Sequence, residues 1–227
     1  MMSELMKLSN VYKKFGKDWV VKDCSLTIQS NRIIGILGKN GMGKSTLLKL
    51  MAGLLKADDG LISDSHIKIS YLLQPHDFYS WMKVKDAVEY YCDFYMDFDK
   101  EKAMKLLQES SLEEKQLIRK LSTGQGERLC LILALSRRVD LYLLDEPISG
   151  VDAGFKREFK RLLLENIPED ATVLIVTNLL KDMETIFDEI VLMTRKGMIC
   201  LETDYIRAEH KSVEEYYMEV VEDETYA

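Results

Sequence analysis

The sequence predicts an α/β fold, and three observations carry that expectation. Apolar, β-branched runs alternate with helix-forming stretches over most of the 227 residues. The stretch Gly38-Lys39-Asn40-Gly41-Met42-Gly43-Lys44-Ser45-Thr46 matches GxxxxGK(S/T), between the run Arg32-Ile33-Ile34-Gly35-Ile36-Leu37 and the helix-forming Leu47-Leu48-Lys49-Leu50-Met51, and so reads as a phosphate-binding loop. A second apolar run, Leu141-Tyr142-Leu143-Leu144, ends in Asp145-Glu146-Pro147, which places carboxylates where open α/β sheets keep their sites.

In chain order, residues 5–12 and 19–28 read as two strands around the polar turn 13–18, an antiparallel lead-in. The loop follows, with a helix ending near Gly53. Residues 66–73 read as a strand that stops at Gln74-Pro75. From 86 to 121 the pattern is helical, with 100–109 and 112–118 built from strong helix formers. Nine of the chain's 20 aromatic residues fall between Tyr71 and Phe98. Tyr90, Tyr91, Phe94, Tyr95 and Phe98 recur at helical spacing and read as core, whereas Phe78, Tyr79 and Trp81 read equally as core or as a docking surface. Ser122 is placed to cap a helix running to about Arg138. After the 141–144 strand come a helix over 153–166, a strand over 172–177, a strand over 189–193 and a Lys196-Gly197 turn into 198–200. At the end, Ser212 and Glu215 form a capping box ahead of an apolar stripe of Val213, Tyr216, Tyr217, Val220 and Val221.

Composition narrows the possibilities. The apolar share is 47%, with no run of about 18 apolar residues and no signal-peptide pattern in Met1-Met2-Ser3-Glu4, so the chain is expected in the cytoplasm or peripheral to a membrane. Cys24, Cys92, Cys130 and Cys200 lie far apart and make no ligand spacing with His66, His76 or His210, which favours free thiols. The net charge of −7 belongs to residues 201–227, where nine acids face Arg207 and Lys211. No basic stripe suits nucleic acid as the main partner.

The chemistry follows from residue type and place. The loop glycines let successive N–H groups point inward, Lys44 reaches the β and γ phosphates of a triphosphate, and the Ser45 hydroxyl is placed to ligate Mg²⁺. Asp145 stands at the second Mg²⁺ anchor, and Glu146 is free to orient or deprotonate the water that attacks the γ-phosphorus. The expected architecture is a P-loop NTPase (RecA-like) core over 1–74 and 141–200, with the antiparallel β lead-in, an inserted α-helical subdomain over 75–140 and an acidic C-terminal helix within 201–227, all in one domain.

Leu121-Ser122-Thr123-Gly124-Gln125, about 16 residues before the Asp145-Glu146 strand, resembles the LSGGQ signature of the ABC-type ATPases. With the phosphate loop, Gln74 and Ser149-Gly150-Val151-Asp152, the resemblance runs in the family's order from about residue 5 to 200, and in wording and length it is most similar to single-domain ATP-binding subunits of drug and peptide exporters. It implies that Phe15 stacks on adenine and that Gln74 contacts Mg²⁺ or the attacking water and senses a membrane partner. It also implies that Gly38, Asn40, Gly41, Gly43, Lys44, Ser45 and Thr46 hold the phosphates. Ser122, Gly124 and Gln125 would act on ATP held by a second ATPase subunit, with Asp152 at that boundary and transmembrane subunits as separate chains. Each of these also has a plain structural reading: Phe15 a turn aromatic, Gln74 a strand-end residue, Ser122 a helix cap. Two positions depart from the family pattern. Asn178 stands where it has histidine, so it donates a hydrogen bond but carries no charge. Thr123 stands where it usually has glycine. A soluble ATPase of the same family acting in translation, repair or cluster assembly is the alternative, as is a slow-hydrolysing partner subunit of a heterodimer.

Overall fold

The computed structural model describes residues 3–64, 66–148, 153–195, 197–209 and 212–223. Buried and exposed positions alternate through much of β1 (Glu4–Phe15) and β2 (Asp18–Gln29), and the two close an antiparallel hairpin in which Phe15 pairs with Asp18. β3 (Ile33–Leu37) leads through the glycine-rich loop into α1 (Lys44–Met51). Next comes β4 (Asp59–Asp64), which pairs with the free edge of β1 to make a three-stranded sheet, β2-β1-β4. No strand was expected there, because Asp59-Gly60 begins it with two poor strand formers and its pairing is long-range. β5 is shorter than the 66–73 run suggested and covers only Ile69–Tyr71.

The helical segment contains α2 (Val84–Phe94), α3 (Lys100–Glu109) and α4 (Thr123–Leu135). Residues 112–118 do not form the expected helix. Ser111 adopts a left-handed φ of 54°, and Leu117 instead bridges to Lys83. Helix propensity thus yields to tertiary pairing. The aromatic run divides as well: Tyr91 is buried, while Tyr90 and Phe94 lie on the exposed face of α2 with ring centroids 4.5 Å apart. Tyr79 and Trp81 are exposed and stacked at 5.8 Å.

The chain then builds β6 (Leu141–Asp145), α5 (Ala153–Asn166), β7 (Thr172–Val176), α6 (Leu180–Met183), β8 (Glu189–Thr194), β9 (Gly197–Glu202), α7 (Thr203–Ala208) and α8 (Val213–Asp223). A six-stranded sheet runs β5-β6-β7-β3-β8-β9, parallel throughout except for the β8-β9 hairpin. Its central strands are buried on both faces, which is why they read as continuous apolar runs. One core lies between this sheet, α1 and the three-stranded sheet, and the other between its opposite face and helices α2 to α5. All four cysteines are free. Among the described residues, no helix is long and apolar enough to cross a membrane.

Candidate active site

Register determines which residues meet. Ile36 of β3 and Asp145 of β6 both pair with Val176 of β7, so Leu37, Asp145 and Val176 end their strands at nearly one level. The loops leaving those ends carry Gly38 to Thr46, Glu146 and Asn178 into one neighbourhood.

The phosphate loop is tightly built. Lys44 is 6% exposed, and its ammonium donates to Gly38 O at 2.7 Å and Lys39 O at 3.2 Å, across the loop's interior. Burial lowers its pKa, opposed by the charges of Glu146 and Asp145. Gly43 has φ +90°, and a Cβ there would sit 2.6 Å from Val20 O, so this position admits only glycine. Gly43 is also the N-cap of α1 and supplies no side-chain cap. The first N–H groups of the helix are therefore uncapped by a side chain and suited to an anion.

The carboxylates meet the loop. Ser45 Oγ donates to Asp145 Oδ1 at 2.9 Å, and Gln74 Nε2 donates to Asp145 O at 3.2 Å. Glu146, one residue past the strand, has φ 47°, a left-handed conformation costing about 1–2 kcal/mol for a non-glycine residue. Its N–H is fixed to Val176 O at 2.9 Å. Asn178 Nδ2 donates to Glu146 Oε1 at 2.8 Å and lies 3.4 Å from Asn40 Oδ1. Burial pushes the Glu146 carboxyl above its ordinary value; a hydrogen bond from the Asn178 backbone N–H and the Lys44 charge pull it down, and the Asp145 charge adds to the rise. A half-buried, partly desolvated carboxylate beside a buried lysine is a pairing suited to proton abstraction next to bound phosphate.

Lys44, Ser45, Gln74, Asp145, Glu146, Asn178 and Asn40 therefore converge. Phe15 lies at the hairpin end, half exposed. Ser122, Gly124 and Gln125 are not part of this cluster. Ser122 caps α4, accepting from Gln125 N at 3.3 Å, while the Gln125 side chain accepts from Ser122 N at 3.0 Å. Ser122 and Thr123 face outward. Asp152 lies outside the described residues.

Sequence reasoning missed two neighbours. Tyr71 Oη stands 3.5 Å from Asp145 Oδ2; its place on the strand three residues before Gln74 was the available signal. Gly126 of α4 packs so closely on Pro75 that an added Cβ would lie 2.8 Å from Pro75 Cγ, a contact between distant segments that nothing local announces.

A phosphate loop at the head of a helix, an Asp-Glu pair at the end of a parallel strand two places along the sheet and a hydrogen-bonding residue just past the strand between them define a P-loop ATPase cassette. Residues 21–149 match the family model described as ABC transporter. The ABC transporter ATP-binding protein YtrB of Bacillus subtilis is 32% identical over 197 residues, 82% of this chain and 68% of that protein. The zinc import ATP-binding protein ZnuC of Rickettsia bellii is 30% identical over 204 residues, 88% of this chain and 86% of that one. A solved ATP-binding subunit of an ABC transporter superposes with TM-score 0.83 over 96% of this chain and 99% of that one at 20% identity, and so has the same fold. The chain belongs to the ABC transporter family, as its ATP-binding ATPase component.

Proposed function

We propose that the chain powers a transporter by ATP hydrolysis at a site shared between two ATPase subunits, working on the cytoplasmic face of a membrane with separate transmembrane subunits. The observation that carries this is the convergence of Lys44, Ser45, Asp145, Glu146 and Asn178 at the C-terminal ends of β3, β6 and β7.

In this reading the backbone of Gly38, Asn40, Gly41, Gly43 and Thr46, together with Lys44, cradles the phosphates, and Phe15 stacks on the base. Ser45 and Asp145, already hydrogen-bonded to each other, form an oxygen donor pair that fits Mg²⁺, with Gln74 beside them. Bound there, Mg²⁺ supplies Lewis-acid polarisation of the phosphate oxygens. Glu146 takes a proton from the attacking water; Asn178 holds Oε1 and so aims the carboxylate, leaving Oε2 for that water. Ser122, Gly124 and Gln125, at the N-terminus of α4 with Ser122 exposed, serve the partner's nucleotide, with Asp152 at the same boundary. Division of the chain into an α/β core, a helical unit over 75–140 and an acidic C-terminal segment belongs to the same proposal, the helical unit offering exposed Tyr79 and Trp81 to the membrane chains.

Export of peptides or drugs is the finer reading, and it rests on the resemblance in wording and length described above; among the relatives named, ZnuC is an import protein. Growth separates the two directions: loss of this chain sensitises cells to membrane-active peptides or drugs if it exports, and impairs uptake of a nutrient if it imports. Co-purification tests the transport reading itself. Recovery with a polytopic membrane protein supports it, and persistent association with ribosomes overturns it in favour of a soluble ATPase.

A further inference from the structure

The segment between β7 and β8 begins at the active site and ends at the C-terminal helix. Thr177 Oγ1 accepts from Leu179 N at 3.0 Å, Asn178 reaches Glu146, and α6 follows, a single turn with no side-chain cap at Leu179. One turn is too short to hold itself. Its support comes from elsewhere. Leu180 and Met183 are buried, and Glu184, the next residue, accepts from Val213 N at 2.9 Å and Glu214 N at 3.4 Å through Oε2. Those two N–H groups are the first of α8, so Glu184 caps a helix to which it does not belong. Arg207 of α7 adds a hydrogen bond to Glu184 O at 3.1 Å, and Lys160 of α5 one to Thr185 Oγ1 at 3.1 Å. α8 has its own capping box, Ser212 with Glu215 at 3.1 Å in each direction, and it packs Val213, Tyr216, Tyr217 and Val220 into the cluster that contains Leu180 and Met183.

We propose that Glu184 is a positioning residue for hydrolysis. By capping α8 it anchors the far end of the segment whose near end is Asn178, so that docking of the acidic C-terminal helix sets how firmly Asn178 is held against Glu146. The inference rests on the reading of Glu146 and Asn178 as hydrolytic groups. Its physical content is that a short segment fixed at both ends holds a side-chain amide in one place, and that releasing one end lets the amide wander. The acidic helix, which the phosphate loop itself has no use for, thereby acquires a role in turnover.

The test compares Glu184→Ala, Glu184→Gln, Asn178→Ala and the Glu184→Ala/Asn178→Ala double variant in the full chain, by steady-state ATPase and by amide hydrogen exchange without nucleotide. Glu184→Ala is expected to lower kcat several-fold with the KM for ATP unchanged, and to speed exchange at both 178–183 and 212–215. Glu184→Gln still offers an oxygen to both N–H groups and is expected to remain near the parent. The double variant is expected to be no slower than Asn178→Ala alone, because both changes act on one interaction. If Asn178→Ala keeps the parent rate, the reading of the site fails. If Asn178→Ala slows but Glu184→Ala leaves kcat and exchange at 178–183 unchanged, or if the two losses multiply, the anchoring role of Glu184 is overturned. Should Glu184→Ala melt early, Glu184→Asp, shorter by one methylene with its charge kept, carries the same comparison.

Discussion

Asn178 donates its side-chain amide to Glu146 Oε1 at 2.8 Å. The bond joins the loop after β7 to the residue after β6, and the same amide lies 3.4 Å from Asn40 in the phosphate loop. One neutral side chain thus touches both the proposed base and the cradle. A donor at that distance favours the charged form of the carboxylate, while the Asn178 backbone N–H and the Lys44 charge offset part of the rise that burial imposes on Glu146.

A pH dependence follows. Glu146 acts as a base only when ionised, so the ATPase rate falls as pH drops through its raised pKa. Asn178→Ala keeps the backbone N–H that lowers that pKa but removes the side-chain amide from Oε1; losing a donor disfavours the charged form, and the acid limb of kcat is expected to move to higher pH. A pH–rate profile of parent and variant checks the direction. Asn178→His restores a group able to carry charge and is expected to raise kcat at neutral pH; an unchanged rate would mean that Asn178 does not limit the site.

Ser45→Ala removes the hydroxyl that meets Asp145 Oδ1 at 2.9 Å. Nucleotide binding without metal is expected to persist, while the Mg²⁺ concentration for half-maximal ATPase rises. Titrating Mg²⁺ at fixed ATP measures it.

Gly126→Ala sets two effects against each other. Alanine in place of a helical glycine ordinarily gains about 1 kcal/mol. Here the new Cβ would stand 2.8 Å from Pro75 Cγ, and overpacking of that kind costs about 1–3 kcal/mol. The expected result is a Tm no higher than the parent's, together with a lower ATPase rate, because α4 and the residue after Gln74 are forced apart. Thermal melts and steady-state rates read both.

How much was legible in the sequence depended on how local the cause was. The helix over 153–166, the buried strands near 141–144 and 172–177, the cap at Ser122 and the box at Ser212 followed from short-range pattern, and the structure has them. The phosphate loop and the Asp145-Glu146 pair were recognisable because each is contiguous. What escaped was set by distant partners. β4 forms because β1 has an open edge, residues 112–118 unwind because Leu117 bridges to Lys83, and Phe94 is exposed although its spacing fitted a core face. In the same way Asn178 was visible as a substitution, whereas its bond to Glu146 depends on the alignment of β6 and β7.

The central claim is that Glu146 is the base of a site completed by a second ATPase subunit. Glu146→Gln measures it most directly, by ATPase rate and by light scattering during gel filtration with ATP and Mg²⁺. The account predicts a rate lower by about 10²–10⁴, with ATP still bound and a stable dimer that the ATP-free protein does not form. Hydrolysis at the parent rate, or a variant that binds ATP yet remains a monomer, would contradict it.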